Sequence, residues 1–184
     1  MKAFALLLSA LIAASPATAS PAAFQKTESV TLTPGESVSL RVEEDGGLAI
    51  LDRSENATLG AYDRATLAVL LREDYGAATG ANARTIRSGE PGLPPVPDIA
   101  PDRLRVTFLT VGDNQRLLIL ENGYDRGLVY HARITANGRT APTDVCLVIP
   151  HGRGHEHWPY VIDQIELGSM RLEAWDESQG PRCE

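Results

Sequence analysis

Apolar and polar residues alternate with a period of two over much of the chain. The clearest case is Leu128, Tyr130, Ala132 and Ile134, which interleave with Val129, His131, Arg133 and Thr135. That is the pattern of a strand with one face buried and one in water. Leu104, Val106 and Phe108 repeat it against Arg105, Thr107 and Leu109, and Val38, Leu40 and Val42 against Ser37, Ser39 and Arg41. Residues 117–120 form a short unbroken apolar run, followed by Asn122-Gly123, a pair suited to positive φ. Residues 116–135 are therefore predicted to be strand, tight turn, strand, the central hairpin of the domain.

Turn residues divide the rest into short strands. Pro34-Gly35 separates residues 29–32 from 37–42, and a polar turn over 43–47 leads to a strand at 47–51. Gly112-Asp113-Asn114 and Asn137-Gly138 mark two further reversals. Residues 143–149 read as an apolar strand carrying Cys146. Residues 161–167 and 170–174 read as a closing hairpin around Gly168-Ser169. Many short strands at this spacing predict a mainly β fold, an antiparallel β-sandwich of immunoglobulin-like architecture.

Two stretches break the pattern. In residues 62–75, Asp63 is placed to cap a helix with Leu67, Leu70 and Leu71 on one face and Gly76 at its end. The same ATLAVLL run also fits a buried strand, but its length and its helix formers favour one short helix over 64–75. Residues 76–101 hold Glu90-Pro91-Gly92 and Pro94-Pro95-Val96-Pro97, too rich in Pro and Gly for regular structure. Such a loop reads as a surface insertion with extended character, or as a segment that covers a ligand or docks a partner.

Residues 1–19 carry a lysine, an apolar stretch and Ala17-Thr18-Ala19, the three parts of a cleaved signal peptide. A single domain over residues 20–184, exported to the periplasm or beyond, is expected. No other segment is apolar for the roughly 20 residues that a membrane-spanning helix requires, so no membrane insertion is expected. The net charge is −7, and loss of the leader removes one lysine and no acid. That balance argues against nucleic acid or an anionic lipid surface as the partner. Cys146 and Cys183, the only cysteines, are expected to form one disulfide in an oxidising compartment. Closing that loop stabilises the fold by roughly 3–4 kcal/mol on the chain-entropy account.

Three of the four histidines lie in one short stretch, at His151, His155 and His157, with Glu156 between the last two. On an extended strand His155 and His157 project to one side, and Gly152 and Gly154 would let His151 fold back toward them. Imidazole groups suit Zn or Cu, so the trio is a candidate metal site, with His131 a more distant fourth ligand. The spacing matches no zinc signature, and HEHW is not the helical HExxH of metalloproteases. Trp158 and Tyr160 flank Pro159 and form a candidate ligand-facing pair, although core packing also accounts for large aromatics in so aromatic-poor a chain. No nucleophile elbow, phosphate loop or diagnostic acid pair is present, so no catalytic residue is nominated. Asn56-Ala57-Thr58 fits a glycosylation acceptor, a pattern without meaning behind a bacterial-type leader.

ENGYDRGLVYHARI, TDVCLVIP and EHWPYVIDQIEL together resemble the C-terminal half of small secreted Gram-negative bacterial proteins of unassigned function. The resemblance spans roughly residues 104–167, implies a secreted protein and says nothing about activity. The LEN that ends one predicted strand is similar to strands of periplasmic immunoglobulin-like modules, a likeness of fold alone. The sequence thus points to an exported, non-catalytic binding module for a protein or small ligand, without a cofactor. The alternative is a periplasmic Zn- or Cu-binding protein using His151, His155 and His157.

Overall fold

The computed structural model describes residues 25–72, 94–180, 182 and 183. The leader at 1–19 and most of the Pro/Gly-rich loop, residues 76–93, lie outside the described residues. The elements in chain order are β1 (Gln25–Thr27), β2 (Ser29–Leu32), β3 (Glu36–Val42), β4 (Leu48–Ser54), α1 (Ala61–Arg72), β5 (Leu104–Val111), β6 (Gln115–Asn122), β7 (Gly127–Ala136), β8 (Arg139–Thr143), β9 (Arg153–Trp158) and β10 (Gln164–Glu173). They form two antiparallel sheets, the first in order β1-β4-β3-β5-β6-β9 and the second β2-β10-β7-β8. The fold is mainly β, a two-sheet sandwich with one short helix.

The period-two pattern is realised where one face meets the other sheet. Leu104, Val106 and Phe108 of β5 face Leu128, Tyr130 and Ala132 of β7 across a core that also takes Leu40, Leu48, Ile165 and Leu167. The unbroken apolar run in β6 has a different cause. Leu118 and Leu120 enter that core, whereas Leu117 and Ile119 join Leu109, Val111 and Leu67 on the outer face, beneath α1. Both sides of β6 are therefore dry, and a strand buried on two faces loses its alternation. The described part of the 62–75 stretch is helical, within α1, and its Leu67 is part of the roof over the first sheet; residues 73–75 and Gly76 lie outside the described residues.

The central hairpin is not a hairpin. β6 pairs with β5 and β9 in the first sheet, and β7 pairs with β10 and β8 in the second, so residues 122–127 carry the chain from one sheet to the other. Asn122 is fully buried at this corner. Its side-chain amide donates to the carbonyls of Arg126 (2.8 Å), Val148 (3.2 Å) and Ile149 (3.1 Å), and its Oδ1 accepts from the Tyr124 amide at 3.1 Å. Gly123 is required for close approach and not for φ. A Cβ there would stand 2.0 Å from the Ala100 carbonyl oxygen. Left-handed backbone falls instead on Gly35, Gly112, Asn137 and Gly138, where the turns were expected.

Two further expectations are corrected. Residues 161–174 contain one strand, β10, and no hairpin. A register shift between Gly168 and Arg171 puts Ser169 at φ 51° and turns Met170 into the core. Of residues 143–149, Thr143 ends β8 and the rest is not a ladder strand, because the chain here crosses back between sheets and is held by the isolated bridges Leu128↔Val148 and Cys146↔Cys183. The disulfide is formed between those two cysteines, and no free cysteine remains.

Asn122→Ala removes the buried donor shared by the Arg126, Val148 and Ile149 carbonyls. It is expected to lower the unfolding free energy by about 3 kcal/mol in urea titration, with the slope unchanged. A loss under about 1 kcal/mol would show that the corner holds without this amide.

Candidate functional site

β9 carries the histidine cluster, and its register with β6 decides where each side chain goes. Arg153, His155 and His157 lie opposite Glu121, Ile119 and Leu117, on the outer face under α1. Glu156 lies opposite Leu118 and so points inward. The sequence spacing did place His155 and His157 on one side. What it left out was Asp63, ninety-two residues earlier, which arrives on the first turn of α1.

Asp63 was expected to cap the helix, but it is buried in the first turn and bonded across to the sheet. Its Oδ1 lies 2.9 Å from His155 Nε2, and its Oδ2 accepts from Arg153 Nη2 at 3.1 Å. Arg153 Nη1 donates to Glu121 Oε1 at 2.6 Å, and Glu121 lies 3.7 Å from Arg105. Tyr62 stands beside His155 and places its ring 5.9 Å from the Arg153 guanidinium. Burial opposes ionisation of Asp63, but the His155 hydrogen bond and the Arg153 charge outweigh it and hold the carboxyl below its ordinary value. The network joins helix to sheet with nearly all its charge satisfied internally. Chemically it is a lock.

The other histidines have separate surroundings. His157 lies 2.9 Å from Gln115 Oε1, and burial depresses its pKa. His151 is exposed in a left-handed turn before β9, its amide donating to the Tyr124 carbonyl at 3.0 Å. Among the described residues, no three His, Cys, Asp or Glu side chains gather closely enough to hold a metal ion. Trp158 and Tyr160 do not form one patch. Trp158 is buried, edge-on to Phe108, and donates from Nε1 to Thr143 Oγ1 at 3.1 Å, whereas Tyr160 is 45% exposed.

Glu156 is the one acid turned into the sandwich from this stretch. Its Oε1 accepts from the Cys146 amide at 2.8 Å, and the buried Tyr130 hydroxyl faces it without reaching hydrogen-bonding geometry. Burial, with help from nearby Asp144, pushes the Glu156 carboxyl up to about 7.

A concavity lies elsewhere, on the outer face of the second sheet. The first sheet is roofed by α1, but no described helix covers the second. A cleft of about 1200 Å³ opens there between the β1–β2 link and the chain leaving β8. Arg133, His131, Glu166 and Gly168 form its floor, and Lys26 and Asp144 stand on opposite walls. These are the polar halves of alternating strands, which carry no signal of their own in the sequence. Only the register β2-β10-β7-β8 brings them together.

Two outcomes follow for the buried acids. Asp63→Ala leaves His155 without its carboxylate and Arg153 with Glu121 as its remaining counter-charge, and is expected to cost about 3 kcal/mol of stability by denaturant titration. For Glu156 the folded carboxyl keeps its proton above the ordinary value of 4.5, up to about 7. The unfolded chain has lost that proton in the same interval, so stability falls as pH rises from about 4.5 to about 7, by at most about 3 kcal/mol. Glu156→Gln is expected to match the parent at pH 4 and exceed it at pH 8. Parallel pH profiles for the two proteins would remove the assignment.

No family model, no curated protein and no solved structure matches this chain.

Proposed function

We propose that the chain is an exported, non-catalytic binding module, an immunoglobulin-like sandwich whose ligand sits in the cleft on the outer face of the second sheet. The cleft is the observation that carries the reading. Its volume of about 1200 Å³ is above the roughly 300–1,000 Å³ usual for small-molecule sites, and its lining side chains are mostly polar and unroofed by described helices. The histidine cluster, the competing location, is committed to α1 through Asp63 and to Gln115.

Export is supported by the leader pattern of residues 1–19 and by the Cys146–Cys183 disulfide, which is compatible with an extracytoplasmic compartment. No helix among the described residues is long and apolar enough to cross a membrane. The sandwich supplies a stiff platform, since four hydrogen-bonded strands fix the positions of the cleft floor without any ligand.

The test is an amide-shift NMR screen of isotope-labelled residues 20–184 against polar peptides, oligosaccharides and small metabolites. Shifts are expected to concentrate on the amides of Ser29, Arg133, Thr143 and Gly168, and to disappear in a Pro142→Trp variant that narrows the cleft. Ligands that shift only amides around His151 to His157 would move the site to that stretch. The absence of any cleft response would overturn the reading.

A further inference from the structure

The floor of the cleft contains an ion pair that the register offers and the side chains do not make. In the β7–β10 ladder Arg133 stands directly opposite Glu166. Opposite charges at such positions ordinarily attract one another across the sheet. Here Glu166 turns to the neighbouring strand and accepts from Ser29 Oγ at 3.0 Å, leaving the Arg133 guanidinium exposed in the cleft. Lys26, the other cation in the lining, is paired with Asp45. Among the described residues lining the cleft, Arg133 is thus the strong cation not committed to a carboxylate.

The rest of the lining narrows the ligand. It has no Phe, Tyr or Trp, so it offers no platform for stacking a base or a sugar ring. Its largest apolar members are Val145 and Pro142, too little to retain an apolar ligand. Glu28, Asp45, Asp144 and Glu166 outnumber Lys26 and Arg133, so a polyanion is repelled. A ligand that satisfies this field has one carboxylate for the guanidinium and at least one ammonium for the surrounding acids.

We propose that the cleft takes a short peptide with free ends, its terminal carboxylate held by the Arg133 guanidinium and its ammonium groups by Asp144 and Glu28 on the walls. This rests on the reading of the cleft as the ligand site. The planar guanidinium matches a carboxylate with two parallel N–H···O bonds, a fit that lysine does not reproduce. The scale agrees as well. Two inter-strand spacings separate β7 from β2, about 10 Å, the reach of roughly three extended residues.

The experiment measures binding of Ala-Ala-Lys, its C-terminal amide, its N-acetyl form and maltotriose to the parent and to Arg133→Gln, by calorimetry and amide shifts. The free tripeptide is expected to bind in the cleft, and amidation to weaken it roughly tenfold, the value of a charge-assisted pair. In Arg133→Gln the difference between acid and amide should vanish, while N-acetylation still weakens both proteins. Equal binding of acid and amide to the parent would overturn the carboxylate assignment. If maltotriose shifts the cleft amides and the peptides do not, the peptide class fails and the binding cleft stands. If no probe here and no compound in the wider screen reaches the cleft, both readings fail. The Arg133 side chain is exposed and has no hydrogen bond or ion pair to another described residue, so the variant is expected to fold, which its circular dichroism checks.

Discussion

A single buried amide sets the relation between the two sheets. Asn122 stands where β6 leaves the first sheet, and its donors close the carbonyls of Arg126, Val148 and Ile149, three points on chain segments that meet at this corner. The Val148 and Ile149 carbonyls also accept from the Leu128 and Gly152 amides, so the Asn122 amide adds a second donor there and ties these segments to the Arg126 carbonyl. The crossing at residues 122–127 and the return at 144–149 are thereby tied to each other. The disulfide then anchors the chain end to the second of these segments through Cys146. Polar chemistry specifies the connections, and apolar burial fills the space between them.

That division explains what could be read from the sequence. Strand positions were legible, because half-burial writes a period of two into β3, β5 and β7. The positive-φ turns at Gly35, Gly112 and Asn137-Gly138 were legible too. The partners of each strand were not. Asn122-Gly123 looks like hairpin chemistry, yet Asn122 serves as a buried donor and Gly123 as a point of close approach to Ala100. Nothing local distinguishes a glycine needed for φ from one needed for space. The bulge at residues 168–171 was read as a turn for a related reason, since Gly168-Ser169 interrupts a strand as readily as it ends one.

The candidate site divides along the same line. Alternation along β9 put His155 and His157 on one face, and that much is local geometry. Their partners come from α1 and β6, at sequence distances no spacing rule reaches. Asp63 has two jobs that a sequence reading cannot separate, an acid in the first turn of a helix and a counter-charge for a strand far along the chain. Its burial beside Arg153 and His155 decides for the second. The cleft on the second sheet left even less trace, because solvated polar positions look the same whether they meet water or a ligand.

The two outer faces use charge in opposite ways, and the contrast carries a physical argument. Beneath α1, Asp63, Arg153 and Glu121 are nearly dehydrated, and burial at that cost persists only when the charges satisfy one another. On the second sheet the charges stay wet, so nothing compels them to pair. Arg133 and Glu166 remain apart although the ladder sets them opposite, because Ser29 offers Glu166 a closer bond. A guanidinium left in water pays its desolvation only when something binds, and a carboxylate that arrives with its own ammonium nearby brings compensation for the surrounding acids as well. The face that is roofed holds its charges in fixed pairs, and the face that is open leaves them in water, where the proposed ligand would meet them.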